Sequence, residues 1–78
     1  MGVIHRLYRA EVRFFCVRNG VRLEPGMSVE LQSPNVRNPI RTPEGRQAIE
    51  DAFMRRYGIS IRQADALNPV WIKCEEIN

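Results

Sequence analysis

The residues best suited to chemistry lie in the stretch 33–47, which brings prolines and arginines together just before a predicted helix. Free N–H groups at the start of a helix attract anions, and arginine suits bidentate recognition of phosphate. These residue types raise the hypothesis of an anion site formed by Arg37, Arg41, Thr42 and Arg46. The alternative is a connector in which Thr42 caps the helix and the arginines stay in solvent. We favour the connector, because Glu44 already places a negative charge in the first turn of the helix.

An enzyme would need a nucleophile with a nearby base, and the sequence shows no such pair. It has one histidine, His5, and it lacks the glycine-rich phosphate loops and the HExxH metal motif. Its two cysteines, Cys16 and Cys74, are far apart and form no CxxC or Cys/His cluster. Strand alternation points both toward the core, where a thiol is inert. We therefore expect a protein that is not an enzyme, without cofactor or metal, whose thiols stay reduced in the cytoplasm.

Composition predicts one small domain over residues 1–78. The chain is 44% hydrophobic and 27% charged, which is ordinary for a globular protein. No apolar run reaches the length of a membrane span, and the N-terminus lacks the apolar core of a secretory signal. The net charge of +3 permits nucleic-acid binding, but a charge of this size can also serve solubility alone. We expect a cytoplasmic protein with no membrane association.

An alternating segment followed by Asn19-Gly20 predicts a β-hairpin. Apolar residues recur at every second position from Tyr8 to Cys16, which is the period of a strand with one buried face. Asn-Gly is the strongest short signal for a two-residue hairpin turn, and it pairs Cys16 with Leu23 on the inner face. Pro25-Gly26 leaves two alternatives, a longer loop or a bend after which the second strand continues. We favour the bend, because an edge strand tolerates proline and the apolar parity continues beyond it.

Residues 42–58 predict the main helix. Thr42 is a suitable N-cap, Pro43 suits the first helical position, and Gly58 suits a left-handed stop. Spacing of four predicts the ion pairs Arg46–Glu50 and Asp51–Arg55. The buried stripe of the helix is predicted to consist of Ile49, Ala52, Phe53 and Tyr57.

The remaining chain predicts a short second helical segment and a final strand. Ser60 and Gln63 have the spacing of a capping box, and residues from Val70 onward alternate. The order β-β-(β)-α-α-β predicts an α+β fold, a small antiparallel sheet with one main helix packed on one face. The residues expected to be buried together are Phe14, Leu23, Val29, Phe53 and Ile72.

Two function classes remain, and both use the face of the sheet that the helix cannot cover. Alternation places on this face a candidate interaction surface formed by Phe15, Val17, Trp71, Arg9 and Arg13. Aromatic groups ringed by charge are typical anchors of protein interfaces, and open sheet edges allow strand addition.

An arginine–aromatic sheet face is also how some nucleic-acid binders stack bases. Carboxylates share this face, however, and would repel phosphate; they are Glu11, Glu24, Glu30 and Glu75. We therefore favour a protein partner, including a second copy of this chain, with weak nucleic-acid binding as the alternative.

The blocks "NGVRLEPGMSVEL" and "GRQAIEDAFMRRYGI" resemble a family of small bacterial proteins of unknown function. That family is found among gut Bacteroidetes and is carried partly by mobile elements. The resemblance is expected to cover residues 12–77 and to leave the first residues outside. It implies a cytoplasmic α+β domain and implies no ligand.

Overall fold

The computed structural model describes residues 6–33 and 38–77 as two small antiparallel sheets and one α-helix. The strands are β1 (Arg6–Val12), β2 (Cys16–Arg18), β3 (Val21–Leu23), β4 (Ser28–Ser33) and β5 (Ile72–Glu76). A short 3-10 turn (Pro39–Arg41) precedes the helix α1 (Pro43–Tyr57). The predicted α+β class is confirmed. The strands are divided between a three-stranded sheet of order β4-β1-β5 and a two-stranded sheet of β2 and β3.

The hairpin forms in the predicted register. Cys16 lies opposite Leu23, next to the turn at Asn19-Gly20, whose two residues have φ values of 50° and 79°. In the half of the hairpin that is farther from the turn, β1 pairs with β4, and Ala10 lies opposite Val29. Ala10 and Val29 are separated from the turn by the same number of residues. The two halves therefore share one continuous register, although they belong to different sheets.

A bend separates the two halves of the hairpin. On the second strand it falls at Pro25-Gly26, as favoured, where Gly26 adopts a φ of 94° that glycine reaches readily. On the first strand it falls at residues 13–15. Alternation holds only within a continuous strand, so the predicted burial of Phe14 is wrong, and this side chain is exposed. The other four predicted core residues are buried together: Leu23, Val29, Phe53 and Ile72.

The helix begins and ends where the sequence predicts. The Thr42 hydroxyl accepts a hydrogen bond from the Gly45 N–H at 3.0 Å. Gly58 has a φ of 68°, and its N–H donates to the Met54 carbonyl at 2.9 Å. The predicted stripe enters the core, with Ile49, Ala52 and Phe53 buried and Tyr57 partly buried. Among the described residues, no helix is long and apolar enough to cross a membrane.

The spacing of four residues predicts an ion pair between Arg46 and Glu50, but this pair does not form. The buried carboxylate of Glu50 accepts hydrogen bonds from the Ser60 hydroxyl at 2.5 Å and from the Arg62 backbone N–H at 2.9 Å. Arg46 donates instead to the Ile40 carbonyl at 3.3 Å. A buried carboxylate needs such donors, and here they attach the segment after the helix to the helix itself.

The predicted second helical segment is a series of turns. The Ser60 hydroxyl accepts from the Gln63 N–H at 3.0 Å, which is half of a capping box. The Gln63 side chain donates to the Asn19 carbonyl at 2.8 Å, and the Asn19 amide donates back to the Gln63 carbonyl at 2.8 Å. Asp65 adopts a left-handed φ of 55°, which a continuing helix does not permit. The segment therefore holds the hairpin tip and buries Ile61, Ala64 and Ala66.

Candidate interaction surface on the hairpin

Large apolar side chains remain exposed at the hairpin and just before β5. The exposed fractions are 51% for Phe14, 56% for Phe15, 60% for Val17 and 66% for Val70. A cluster of such groups is a feature of binding surfaces, whereas single exposed apolar residues are common on any protein. The hairpin surface is defined here as two clusters, one formed by Phe14, Arg18 and Trp71 and the other, on the opposite face of the hairpin, by Phe15, Val17 and Arg22.

Trp71 forms the first cluster of the hairpin surface. It is partly buried against the core, and its ring meets that of Phe14 edge-on with 5.7 Å between centroids. The guanidinium of Arg18 lies 4.8 Å from the centre of the indole ring. Alternation places Trp71 with Phe15 and opposite Phe14, and the contact with Phe14 corrects this expectation. The bend at residues 13–15 ends the alternation on which it rests.

Phe15 forms the second cluster with its neighbours across the hairpin. The guanidinium of Arg22 lies 5.4 Å from the centre of the Phe15 ring. Val17 pairs directly with Arg22, which also lies 3.4 Å from a carboxylate oxygen of Glu24. Arginine over an aromatic face is a favourable cation–π contact. Each cluster thus combines exposed apolar area with one arginine that already lies on an aromatic ring.

Arg9 and Arg13 lie outside the hairpin surface, although the sequence groups them with Phe15, Val17 and Trp71. Arg9 is on β1 in the three-stranded sheet, where it pairs with Glu30 at 3.5 Å and lies opposite Glu75 on the other side. This confirms a cross-strand salt pair on the outer face. Arg13 is exposed in the bend, and its backbone N–H donates to the Trp71 carbonyl at 2.9 Å. Of the predicted surface, only Phe15, Val17 and Trp71 belong to the hairpin surface.

Two of the four predicted anion residues have structural contacts. The Thr42 hydroxyl is used as the helix cap, and Arg46 donates to the Ile40 carbonyl. Arg41 is exposed at the end of the 3-10 turn, and Arg37 lies outside the described residues. These contacts support the connector interpretation of the segment.

The two thiols are free, and they differ in burial. Cys16 is buried as expected, whereas Cys74 on β5 is only partly buried. Burial raises the pKa of Cys74 from 9.0 to about 11; a hydrogen bond from the Ile40 backbone lowers this pKa, and the Glu75 charge raises it. The neutral thiol is the form that the fold favours. Because the unfolded chain releases this proton first, the stabilising contribution is present below pH 9.0 and lost as pH rises toward about 11.

We expect both thiols of the folded protein to react slowly with an aromatic disulfide reagent near neutral pH. The thiolate is the reactive form, so the labelling rate of Cys74 should rise with pH until about 11. The Cys74→Ser variant isolates Cys16 and serves as the control. Rapid labelling of Cys16 in the folded Cys74→Ser protein at neutral pH would show that the assigned strand faces are inverted.

Among residues 6–33 and 38–77, no three histidine, cysteine, aspartate or glutamate side chains come together as a metal site would need. His5 lies outside these residues. The sequence analysis also does not predict the contact in which the Tyr57 hydroxyl accepts from the Ser28 N–H at 2.9 Å and donates to the Ser28 carbonyl at 3.1 Å. The available signal is a tyrosine on the apolar stripe of a helix, since a tyrosine hydroxyl near a core usually finds a partner.

The family model described as "Family of unknown function (DUF6140)" matches residues 5–74. The match begins earlier than the resemblance suggests, so it includes all of β1. Comparison with curated proteins and with solved structures found no match. Since the family model spans most of the chain, the protein belongs to the family of unknown function DUF6140.

Proposed function

We propose that this chain is a non-catalytic protein-interaction domain whose hairpin surface binds a protein partner. The observation that carries the proposal is the exposure of Phe14, Phe15 and Val17, each more than half accessible, on one hairpin. Buried aromatic and arginine side chains are the groups most often responsible for affinity at protein interfaces. The partner is a different protein or a second copy of this chain.

The contacts of the arginines favour a protein over a nucleic acid. Base stacking needs a free aromatic face, and Arg18 and Arg22 already lie over the rings of Trp71 and Phe15. On the three-stranded sheet Arg9 is paired with Glu30, which leaves less free positive charge for phosphate. Weak nucleic-acid binding remains the second candidate because of the net charge of +3.

The proposal includes a cytoplasmic location, for which the unpaired state of both cysteines is the support. The sequence resemblance further suggests that the protein comes from gut Bacteroidetes and that part of its family is encoded on mobile elements. Nothing in this setting requires a membrane or a cofactor.

Phe15→Ala is the variant that tests the hairpin surface. Since Phe15 is exposed, its truncation should change the free energy of unfolding by less than about 0.5 kcal/mol. Self-association at micromolar concentration, or capture of a defined partner, should nevertheless be abolished. Sedimentation velocity and pull-down with the purified variant measure the two effects. Met54→Ala, which removes an exposed apolar side chain from α1, is the matched control and should retain binding.

Salt dependence separates the two function classes. A protein interface anchored by apolar groups should keep its affinity as salt is added. Binding of mixed-sequence oligonucleotides, measured by fluorescence anisotropy, would instead fall steeply with salt through counterion release. Tight, salt-sensitive oligonucleotide binding that is lost in Arg9→Ala and Arg13→Ala would replace the protein-interaction proposal with the nucleic-acid one.

A further inference from the structure

Strand β4 is an edge strand of the three-stranded sheet, and some of its backbone N–H and C=O groups point away from the sheet. In an antiparallel pair, successive residues alternate between bonding the neighbouring strand and pointing away from it. The Val12 N–H donates to the Met27 carbonyl at 2.9 Å, and Ala10 lies opposite Val29 two residues further along. The alternation therefore directs toward the edge the N–H and C=O groups of Ser28, Glu30 and Gln32.

Tyr57 closes this edge at one end only. Its hydroxyl bonds both outward groups of Ser28. In the part of the chain that the structure describes, no partner is found for the outward backbone groups of Glu30 and Gln32. With respect to residues 6–33 and 38–77, the β4 edge is thus open at Glu30 and Gln32 and bounded by Tyr57.

On the opposite edge of the same sheet, at β5, two of the outward backbone groups have partners. The Asn38 amide donates to the Cys74 carbonyl at 2.6 Å, and the Ile72 N–H donates to the Asn68 carbonyl at 2.9 Å. Proteins generally protect their sheet edges, because an open edge pairs with other strands. The open stretch of β4 is therefore available to a ligand.

A groove runs along this edge between β4 and α1. One part is a depression of ≈ 540 Å³ beside Leu31 and Ala48, and the next is one of ≈ 280 Å³ beside Val29 and Ala52. Arg55 lines both parts. The small alanine side chains of the helix leave space next to the open backbone groups, and a side chain of an added strand fits there.

The charge of the groove favours an acidic ligand at one end. Arg55, Arg56 and Glu30 line the end near Val29; the Glu30 carboxylate is paired with Arg9, whereas neither arginine of this end belongs to an ion pair found among the described residues. The Asp51 carboxylate at the other end accepts a hydrogen bond from the Gln47 amide at 2.9 Å.

A second copy of the chain fits this groove poorly. Pairing two β4 edges about a two-fold axis places both helices on the same side of the joined sheet. Because α1 lines the groove along β4, the helix of a second copy would lie beside it and compete for the same space. A two-fold axis at Glu30 would also set this carboxylate against its own copy.

We propose that the groove binds an extended peptide segment of a partner protein, which adds to β4 as an antiparallel strand. Two of its residues would exchange backbone hydrogen bonds with Glu30 and Gln32. The residue opposite Leu31 is aliphatic and faces Ala48, and the residue two positions later is acidic and faces Arg55. The recognised pattern is therefore aliphatic, any residue, acidic. This site is separate from the hairpin surface, so either proposal can fail without the other.

The probe is a phage-displayed library of short random peptides selected on the immobilised full chain. Enrichment of an aliphatic residue two positions before an acidic one is the expected result. The most enriched peptide, titrated by isothermal calorimetry, should bind Arg55→Glu about tenfold more weakly, which corresponds to about 1.4 kcal/mol. Ala48→Leu, which fills the groove, should also weaken binding. Arg41→Glu changes an exposed arginine elsewhere and should bind as the original protein does.

Backbone hydrogen exchange tests the added strand directly, because a purely electrostatic contact with Arg55 would not change the amide exchange rates of β4. In the free protein the amides of Glu30 and Gln32 should exchange faster than those of Val29 and Leu31. The peptide should slow exchange at Glu30 and Gln32 specifically. The proposal is overturned by a selection without this pattern, by equal binding to Arg55→Glu, or by protection elsewhere. Loss of peptide binding in Phe15→Ala with full binding to Arg55→Glu would assign the peptide to the hairpin surface and also overturn it.

Discussion

Phe53→Ala is expected to lower the free energy of unfolding by about 3–5 kcal/mol, the usual effect of emptying a phenylalanine site in a core. Phe53 is fully buried, and its ring stacks on Tyr57 with 5.7 Å between centroids. Since a small domain has only about 5–15 kcal/mol in total, much of its stability would be lost. Urea unfolding followed by circular dichroism measures the change.

Met54→Ala is the control for Phe53→Ala, because Met54 is the next residue along the helix and its side chain is 47% exposed. Its effect should be less than about 0.5 kcal/mol, as for most surface substitutions. A Phe53→Ala protein with an unchanged unfolding midpoint would contradict the docking of α1 on the sheet.

Gly45→Ala is expected to destabilise the protein by about 1–3 kcal/mol through overpacking. Helix propensity alone predicts the opposite sign, because alanine is favoured over glycine inside a helix by about 1 kcal/mol. Gly45 is buried in the first turn of α1, and a Cβ built on it would overlap the backbone of Pro39. The 3-10 turn would have to move away from the helix, and thermal unfolding would report the loss.

Gly58 provides the comparison, because its need for glycine has another cause. A Cβ on Gly58 meets no atom within 4 Å, but its φ of 68° is left-handed. Asparagine tolerates this conformation better than alanine, so Gly58→Asn should be milder than Gly58→Ala. At Gly45 any side chain collides, so Gly45→Asn should be at least as harmful as Gly45→Ala. A stabilised Gly45→Ala protein would show that helix and turn are not in close contact.

The elements that could be predicted from the sequence are those specified by neighbouring residues. Asn19-Gly20 fixes the hairpin turn and its register, and the pair Thr42 and Gly58 fixes the two ends of α1. Each of these signals acts within a few residues, so it operates in the same way whatever the rest of the chain does.

The elements that could not be predicted depend on contacts between distant residues. Gln63 has the position of a capping residue, but its side chain bonds Asn19 across 44 residues of sequence, and the segment forms turns. Alternation along β1 predicts that Phe14 is buried, but Phe14 lies in the bend and is exposed. Spacing on a helix cannot show that Glu50 has better donors in Ser60 and Arg62 than in Arg46.

The candidate sites divide in the same way. Strand alternation predicts exposure of Phe15 and Val17, and the structure places both in solvent, although only Val17 lies within a strand. The contact between Phe14 and Trp71 needs the bend, which a local pattern marks at Pro25-Gly26 on the second strand but not at residues 13–15 on the first. The open edge at Glu30 depends on the strand order β4-β1-β5, and this order is set by pairing between β1 and the end of the chain.

The reciprocal hydrogen bonds between Asn19 and Gln63 affect how much entropy a partner must remove on binding. The hairpin tip is attached at both its ends, through these bonds and through the unbroken register that joins it to the three-stranded sheet. Ordering a mobile side chain at an interface costs about 0.5–1.5 kcal/mol, and ordering a loop adds to this. A hairpin already held in one conformation avoids the loop contribution. Its preorganisation lets a surface of a few aromatic side chains bind more tightly than the same residues would on a free loop.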